Sequence, residues 1–253
     1  MNPPLAQHQA EIQNNRAAWE RKPLLRRAYG VFYGRIVRLI DREVPGAVLE
    51  IGSGIGNLKE HVPEALSSDL FPNPWLDLVC DGYELPFKDG SLSHLILFDV
   101  FHHLEAPRAF LEEARRALAA HGRLIIFEPF MSWLSWPVYG GLHHEPVGWK
   151  TPLRSELNLP RPRRYYAAQG NATRWFFRQE KPAWIQGWSL FHREAFAACA
   201  YLMSGGFSKP ACLPSGWFGV LDRLDKRLSR WPRWFGARCL VGLCATPWKG
   251  VTL

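Results

Sequence analysis

The chain has 253 residues, 47% of them apolar and 21% charged, which is enough to bury a sizeable core and excludes wholesale disorder. Its formal charge of +8 suits an anionic partner or a solvated basic surface, but the basic residues are scattered and no nucleic-acid module is legible, so nucleic acid is not the expected partner. Five cysteines without a C-x-x-C pair speak against a disulfide framework or a zinc site, and a polar start with no uncharged stretch of roughly 18 residues speaks against a signal peptide or a membrane span.

Residues 1–15 read as a loose tail. Trp19, Leu24, Leu25, Tyr29, Phe32, Tyr33, Ile36, Leu39 and Ile40 then recur at roughly helical spacing, which predicts one or two amphipathic helices before residue 45. Ala47–Ile51 is a β-prone run that enters a glycine loop. Further strands are predicted at Ala65–Asp69, Leu76–Asp81, Leu92–Phe98 and Arg123–Glu128. A helix over Pro107–Ala119 precedes the last of these, with proline at its start and Gly122 beyond its end. Strand, helix and strand in that order predict a parallel sheet with helices on its faces. The six residues Leu70–Trp75 are too few for an ordinary parallel crossover, so the third strand is expected to be short or irregular.

After Glu128 the composition turns aromatic and proline-rich, and residues 131–192 read as a lid or substrate insertion. Regular structure is expected to resume with a helix over Arg193–Met203 and a strand over Phe207–Leu213. An amphipathic helix over Trp217–Trp231 and a closing strand over Ala237–Thr246 follow. The chain from 16 to 253 reads as a single domain: helices over 16–44, a cofactor-binding core over 45–130, the insertion, and a C-terminal part over 193–253.

Glu50-Ile51-Gly52-Ser53-Gly54-Ile55-Gly56 joins a predicted strand to a short helix. Its glycines permit a sharp turn and leave no Cβ between backbone and ligand. The spacing is G-x-G-x-G, with Asn57 where a dinucleotide signature needs its third glycine. A carboxylate at Glu50 repels a pyrophosphate and suits a ligand carrying an ammonium and a sulfonium. Asp69 ends the second strand, where a carboxylate accepts from both hydroxyls of a ribose or caps a turn. Asp81 ends the third, in Cys80-Asp81-Gly82-Tyr83-Glu84-Leu85-Pro86-Phe87, suited to an adenine amino group with apolar side chains beside the ring.

VLEIGSGIGNLKE, the acid at Asp69, CDGYELPF, LILFDVFHHLE and GRLIIFEP together resemble the successive motifs of the class I S-adenosylmethionine-dependent methyltransferases, specifically the UbiE-like, type 11 group. The resemblance covers about residues 47–130. It implies a Rossmann-like, doubly wound, mostly parallel seven-stranded sheet whose last strand is antiparallel, with S-adenosylmethionine as cofactor. By the same resemblance Glu50, Gly52, Ser53, Gly54 and Gly56 hold the methionine part, and Asp69 with Leu70 the ribose. Asp81, Gly82 and Tyr83 hold the adenine, while Phe98, Asp99 and Val100 lie near the transferred methyl.

Methyl transfer from a sulfonium is an in-line displacement that needs positioning first and a proton acceptor second. His102 or His103, after the fourth strand, is a candidate base or a backbone-bonding cap, and His144 with His143 and Glu145 in the insertion is a second set. Adjacent histidines without a spaced third ligand do not make a metal site. The aromatic insertion suits a small or lipid-linked acceptor, with oxygen the favoured atom, and the helix at 217–231 suits peripheral contact with anionic lipid or simply covers the sheet. A cytoplasmic enzyme is expected. The competing expectations are a catalytically inactive cofactor-binding partner and an RNA or protein methyltransferase.

Overall fold

A computed structural model of the protein describes residues 3–142, 147–148, 166–178, 185 and 187–246. Seven strands form one sheet: β1 (Ala47–Ile51), β2 (Leu66–Asp69), β3 (Leu78–Val79), β4 (Leu92–Phe98), β5 (Leu118–Pro129), β6 (Trp188–Phe196) and β7 (Arg238–Ala245). Their order is β3-β2-β1-β4-β5-β7-β6. The first five run parallel, and β7 inserts antiparallel between β5 and β6. This is the expected doubly wound sheet with an antiparallel last strand.

Alternate side chains divide the core between the two faces, as the pleat requires. Leu49, Ile51, Leu95, Leu97, Leu124 and Ile126 pack with Phe110 of α3 (Pro107–Ala117) and Trp175 of α5 (Asn171–Phe177). Val48, Ile96, Phe98, Ile125 and Phe127 face the other way, toward α1 (Pro3–Arg21) and α2 (Pro23–Val37). The α2 residues Leu25, Tyr29, Phe32, Tyr33 and Ile36 meet that face at helical spacing. β4 is buried at every position, as a central strand covered on both faces must be.

Several sequence expectations need correction. Residues 3–15 are not a loose tail but most of α1, fastened where Ile12 and Trp19 are buried and Trp19 meets Tyr29 edge-on at 5.5 Å. Its few apolar positions hid it. β3 shrinks to two residues because its link holds no helix. Asp77 stands in for part of the ladder, its carboxylate accepting from Ser67 N at 2.7 Å. α3 stops at Ala117, and β5 starts at once, with His121 left-handed (φ 63°) where its register against β4 shifts.

The predicted helix over Arg193–Met203 is mostly strand. Pairing with β7 overrides the local helical preference up to Phe196. Only α6 (Cys199–Met203) remains helical, and the Asp225 carboxylate caps it by accepting from Cys199 N and Ala200 N. Phe207–Leu213 is a turn region, not a strand. The helix at the predicted 217–231 runs over α7 (Phe218–Leu228), and of its apolar row only Leu221 is buried while Trp217, Leu224 and Trp231 are exposed. Part of the supposed lid is core, since Ala172, Trp175 and Phe176 of α5 are buried against the sheet. Further short turns are α4 (Ser135–Pro137), followed by a π-helical turn over Val138–Leu142, α8 (Pro232–Phe235), and 3-10 turns over Asn57–Glu60, Phe101–His103 and Ser215–Trp217. Among the described residues no helix is long and apolar enough to cross a membrane.

Candidate active site

A cavity of about 1010 Å³ opens at the carboxyl ends of β1, β2 and β4, where open α/β sheets bind ligands. The loop after β1 forms one wall. Gly52, Gly54 and Gly56 have φ of 68°, 54° and 73°, a region in which a side chain is strained. At Gly52 a Cβ would also collide with Val100 Cγ2. At Gly54 the nearest atom to such a Cβ is Ile12 Cδ1 at 3.9 Å, so its bare backbone faces open cavity.

Glu50 lies under this loop with 2% of its surface exposed, and its Oε2 has no hydrogen-bond partner. Burial pushes its carboxyl up to about 8. An orphaned buried carboxylate oxygen beside a bare glycine backbone fits a ligand that brings its own ammonium. Asp69 Oδ1 accepts from Leu70 N at 2.7 Å and Oδ2 from Gly54 N at 3.3 Å, which ties the second strand to the glycine loop. Burial raises this carboxyl as well. Asp81 Oδ1 accepts from Tyr83 N at 3.0 Å, and the Tyr83 hydroxyl accepts from Ala106 N at 3.1 Å.

Beyond β4 the chain carries a second group of polar residues. Asp99 is left-handed (φ 56°), and both its oxygens meet Arg238, at 2.5 and 3.0 Å. Arg238 is 1% exposed and lies 4.4 Å from the Tyr201 ring centroid and 5.5 Å from that of Phe127. His102 is buried, with Nδ1 2.6 Å from Glu128 Oε2 and Nε2 3.3 Å from Gln169 Nε2. The other Glu128 oxygen accepts from Phe101 N at 2.6 Å. Burial raises the Glu128 carboxyl, and the adjoining imidazole pulls it back. The tautomer consistent with these partners has Nδ1–H donating to Glu128 and a lone pair on Nε2. His103 turns away, its Nδ1 donating to the Tyr166 carbonyl at 2.8 Å, although its ring lies 4.1 Å from that of His102.

The structure brings Glu50, Gly52, Ser53, Gly54, Asp69, Leu70, Asp81, Gly82, Tyr83, Phe98, Asp99, Val100, His102 and His103 to the one cavity. Gly56 is not on its wall. It stands behind the loop, where a Cβ would come 3.1 Å from the Trp75 carbonyl. His144, with His143 and Glu145, lies outside the described residues. Sequence reasoning missed Glu11 and Ile12 of α1, Tyr29 and Tyr33 of α2, Gln169, Tyr201 and Arg238, all of which line the cavity, and it missed Glu128 behind His102. Glu128 and Arg238 did leave a signal, an acid directly after the apolar run Leu124–Phe127 and a base opening an otherwise apolar strand.

Residues 49–126 match the family model described as a methyltransferase domain. An uncharacterized protein of Methanocaldococcus jannaschii is 27% identical over 105 residues, which are 38% of this chain. The chain spans about half that relative's length (51%). Among solved structures, a Haloferax volcanii putative methyltransferase in complex with the Trm112 activator superposes with a TM-score of 0.54 at 16% identity, over 98% of this chain and 99% of that one. Geranyl diphosphate C-methyltransferase of Streptomyces coelicolor gives 0.52 at 11% identity over 86% and 78%. A S-adenosylmethionine-dependent methyltransferase of Archaeoglobus fulgidus gives 0.51 at 15% over 85% and 93%. Residues 49–126 thus match a methyltransferase domain, and the sheet and its glycine loop share the fold of the solved structures named above.

Proposed function

We propose that this chain transfers the methyl group of S-adenosylmethionine to an oxygen of a small or lipid-linked acceptor. The observation that carries the reading is the buried His102–Glu128 pair on the wall of the same cavity that the glycine loop lines. The cofactor supplies an electrophilic methyl on a sulfonium. Glu50 and the backbone of Gly52 to Gly54 hold its methionine part, Asp69 its ribose, and Asp81 with Tyr83 its adenine. An acceptor hydroxyl that replaces the Gln169 amide at His102 Nε2 loses its proton there, and Glu128 stabilises the imidazolium.

The charge of the cavity narrows the acceptor. Glu11, Glu50, Asp69, Asp81, Asp99 and Glu105 line it against Lys209 and Arg238, and Arg238 is already committed to Asp99. An acidic cavity in a chain of net charge +8 suits a cationic cofactor and a neutral acceptor, and disfavours a phosphate-bearing one. Tyr29, Tyr139, Tyr201 and Phe207 offer ring faces to an apolar, aromatic body. We place the enzyme in the cytoplasm, in peripheral contact with a membrane. A second reading, an RNA or protein methyltransferase working with an activator subunit, draws on the full-length likeness to the Haloferax volcanii chain, described as a complex with the Trm112 activator.

Calorimetry tests the cofactor half: saturable binding of S-adenosylmethionine and S-adenosylhomocysteine, none of NADH, and loss of binding in Gly54→Val with folding intact. A folded wild-type chain that binds neither overturns the proposal. With acceptors then screened by S-adenosylhomocysteine release, His102→Ala is expected to lower turnover by about 10²- to 10⁴-fold and leave cofactor affinity unchanged. Retained turnover moves the proton acceptor elsewhere.

A further inference from the structure

β5 ends and β7 begins at the same end of the sheet, beside the cavity, and each adjoins a short aromatic turn. Trp133, Leu134 and Trp136 come from the first, Trp231 and Trp234 from the second. All five are exposed, Trp133 to 69% and Trp231 to 56%. They form one surface. Trp133 N donates to the Arg233 carbonyl at 3.3 Å, Leu134 N to the Trp234 carbonyl at 3.0 Å, and the Trp133 and Trp234 rings stack at 6.0 Å.

Single exposed apolar residues need no explanation, but a contiguous group of four indoles does. The sequence of the two turns carries one sign of charge. Residues 226–236 hold Lys226, Arg227, Arg230 and Arg233 and no acid, and residues 130–137 hold no charged residue. Arg230 and Arg233 are exposed and make no ion pair among the described residues. Indole rings seat at the level of lipid headgroups, with the ring in the acyl boundary and its N–H wet, while guanidinium groups pair with headgroup phosphate. The two turns also run directly into the cavity wall. Val138 and Tyr139 follow Trp136, Arg238 follows Trp234, and the Tyr139 hydroxyl donates to the Ala237 carbonyl at 3.0 Å.

We propose that the turns at Trp133–Trp136 and Trp231–Trp234 dock the protein on an anionic phospholipid surface, with the acceptor side of the cavity beside the bilayer. For its purpose this docking rests on the lipid-linked acceptor proposed above, but its test is read without turnover, so the two stand or fall separately. The arrangement lets an acceptor that partitions into the membrane reach the cavity without crossing bulk water. It also sets Arg230 and Arg233 toward the lipid and the acidic residues of the cavity toward the cofactor.

The test is flotation of the full chain with vesicles of phosphatidylcholine, with and without phosphatidylglycerol, alongside calorimetric S-adenosylmethionine binding. The expected result is flotation with the anionic vesicles only, weakening as salt rises, with tryptophan emission quenched by lipids brominated along the acyl chain. Trp133→Ser with Trp234→Ser, and separately Arg230→Gln with Arg233→Gln, are each expected to weaken vesicle binding at least about tenfold while leaving the thermal transition and cofactor affinity unchanged. A wild-type chain that does not float at low salt, variants that float like wild type, or a concentration-dependent dimer abolished by the tryptophan pair in place of flotation would each overturn the docking. Cofactor binding without flotation removes the docking alone, and flotation without cofactor binding removes the methyltransferase reading alone.

Discussion

The two sides of the cavity are built in different ways. On the side we assign to the cofactor each wall element is local: a glycine at positive φ, an acid at the last residue of a strand, a tyrosine two positions beyond an aspartate that accepts from its amide. On the acceptor side almost every contact spans the chain. Arg238 reaches Asp99 across 139 positions, Gln169 reaches His102 across 67, and Tyr166 reaches His103 across 63. Local geometry writes itself into short motifs, whereas contacts of this length are written only in the fold.

The Asp99–Arg238 pair is where the two sides meet, and breaking it has the largest expected effect. Asparagine tolerates the left-handed backbone of residue 99, so Asp99→Asn removes the charge and spares the turn. It leaves a fully buried guanidinium uncompensated, and urea unfolding is expected to report a loss of about 3 kcal/mol, at the low end for a broken buried pair because Asp99 is partly exposed. A neutral result would mean that the surrounding rings balance Arg238 unaided and that the two sides are independent.

Asp69→Ala comes next. It removes a charge-assisted pair of acceptors and should weaken cofactor binding by about 1.5 to 3 kcal/mol in calorimetry, with acceptor-side mutations adding independently. Unchanged affinity would move the ribose site.

Glu50 is tested through pH. Its folded-state carboxyl is raised to about 8 from an ordinary 4.5, so its contribution to stability is complete below the unfolded value and is lost as pH rises through the folded one. The thermal midpoint of the ligand-free chain should fall from about pH 5 to about pH 8 and level off above it, and Glu50→Gln should flatten that fall. Equal profiles would show that Glu50 is charged in the ligand-free protein.

What was legible in the sequence follows the same division. β1, β4 and the glycine loop could be read because each rests on neighbours in the chain, Asp69 because it ends β2, and Asp81 because it follows β3, although β3 stops at Val79 and not at Asp81 as expected. The helix expected over Arg193–Met203 failed where Ala, Glu and Met favour a helix but an edge beside β7 was waiting to be paired. α1 was hidden because only a few of its side chains are buried, yet Ile12 and Glu11 face the cavity. His102 was visible as a histidine after a strand, but what orients it, Glu128 and Gln169, was not, since neither is near it in the chain.

The strand order has a consequence for how the molecule comes into being. Among the described residues β6 pairs only with β7, and β7 must slide between it and β5, so the order of synthesis and the order of the sheet disagree at that edge. Until residues 238–245 leave the ribosome, β5 presents a bare apolar edge and β6 a strand with nothing to pair. The arginine that locks Asp99 arrives on that same last strand. A nascent chain can therefore form its glycine loop early but complete the cavity wall that holds Arg238 only once β7 has emerged, and a chain stopped before β7 would be aggregation-prone.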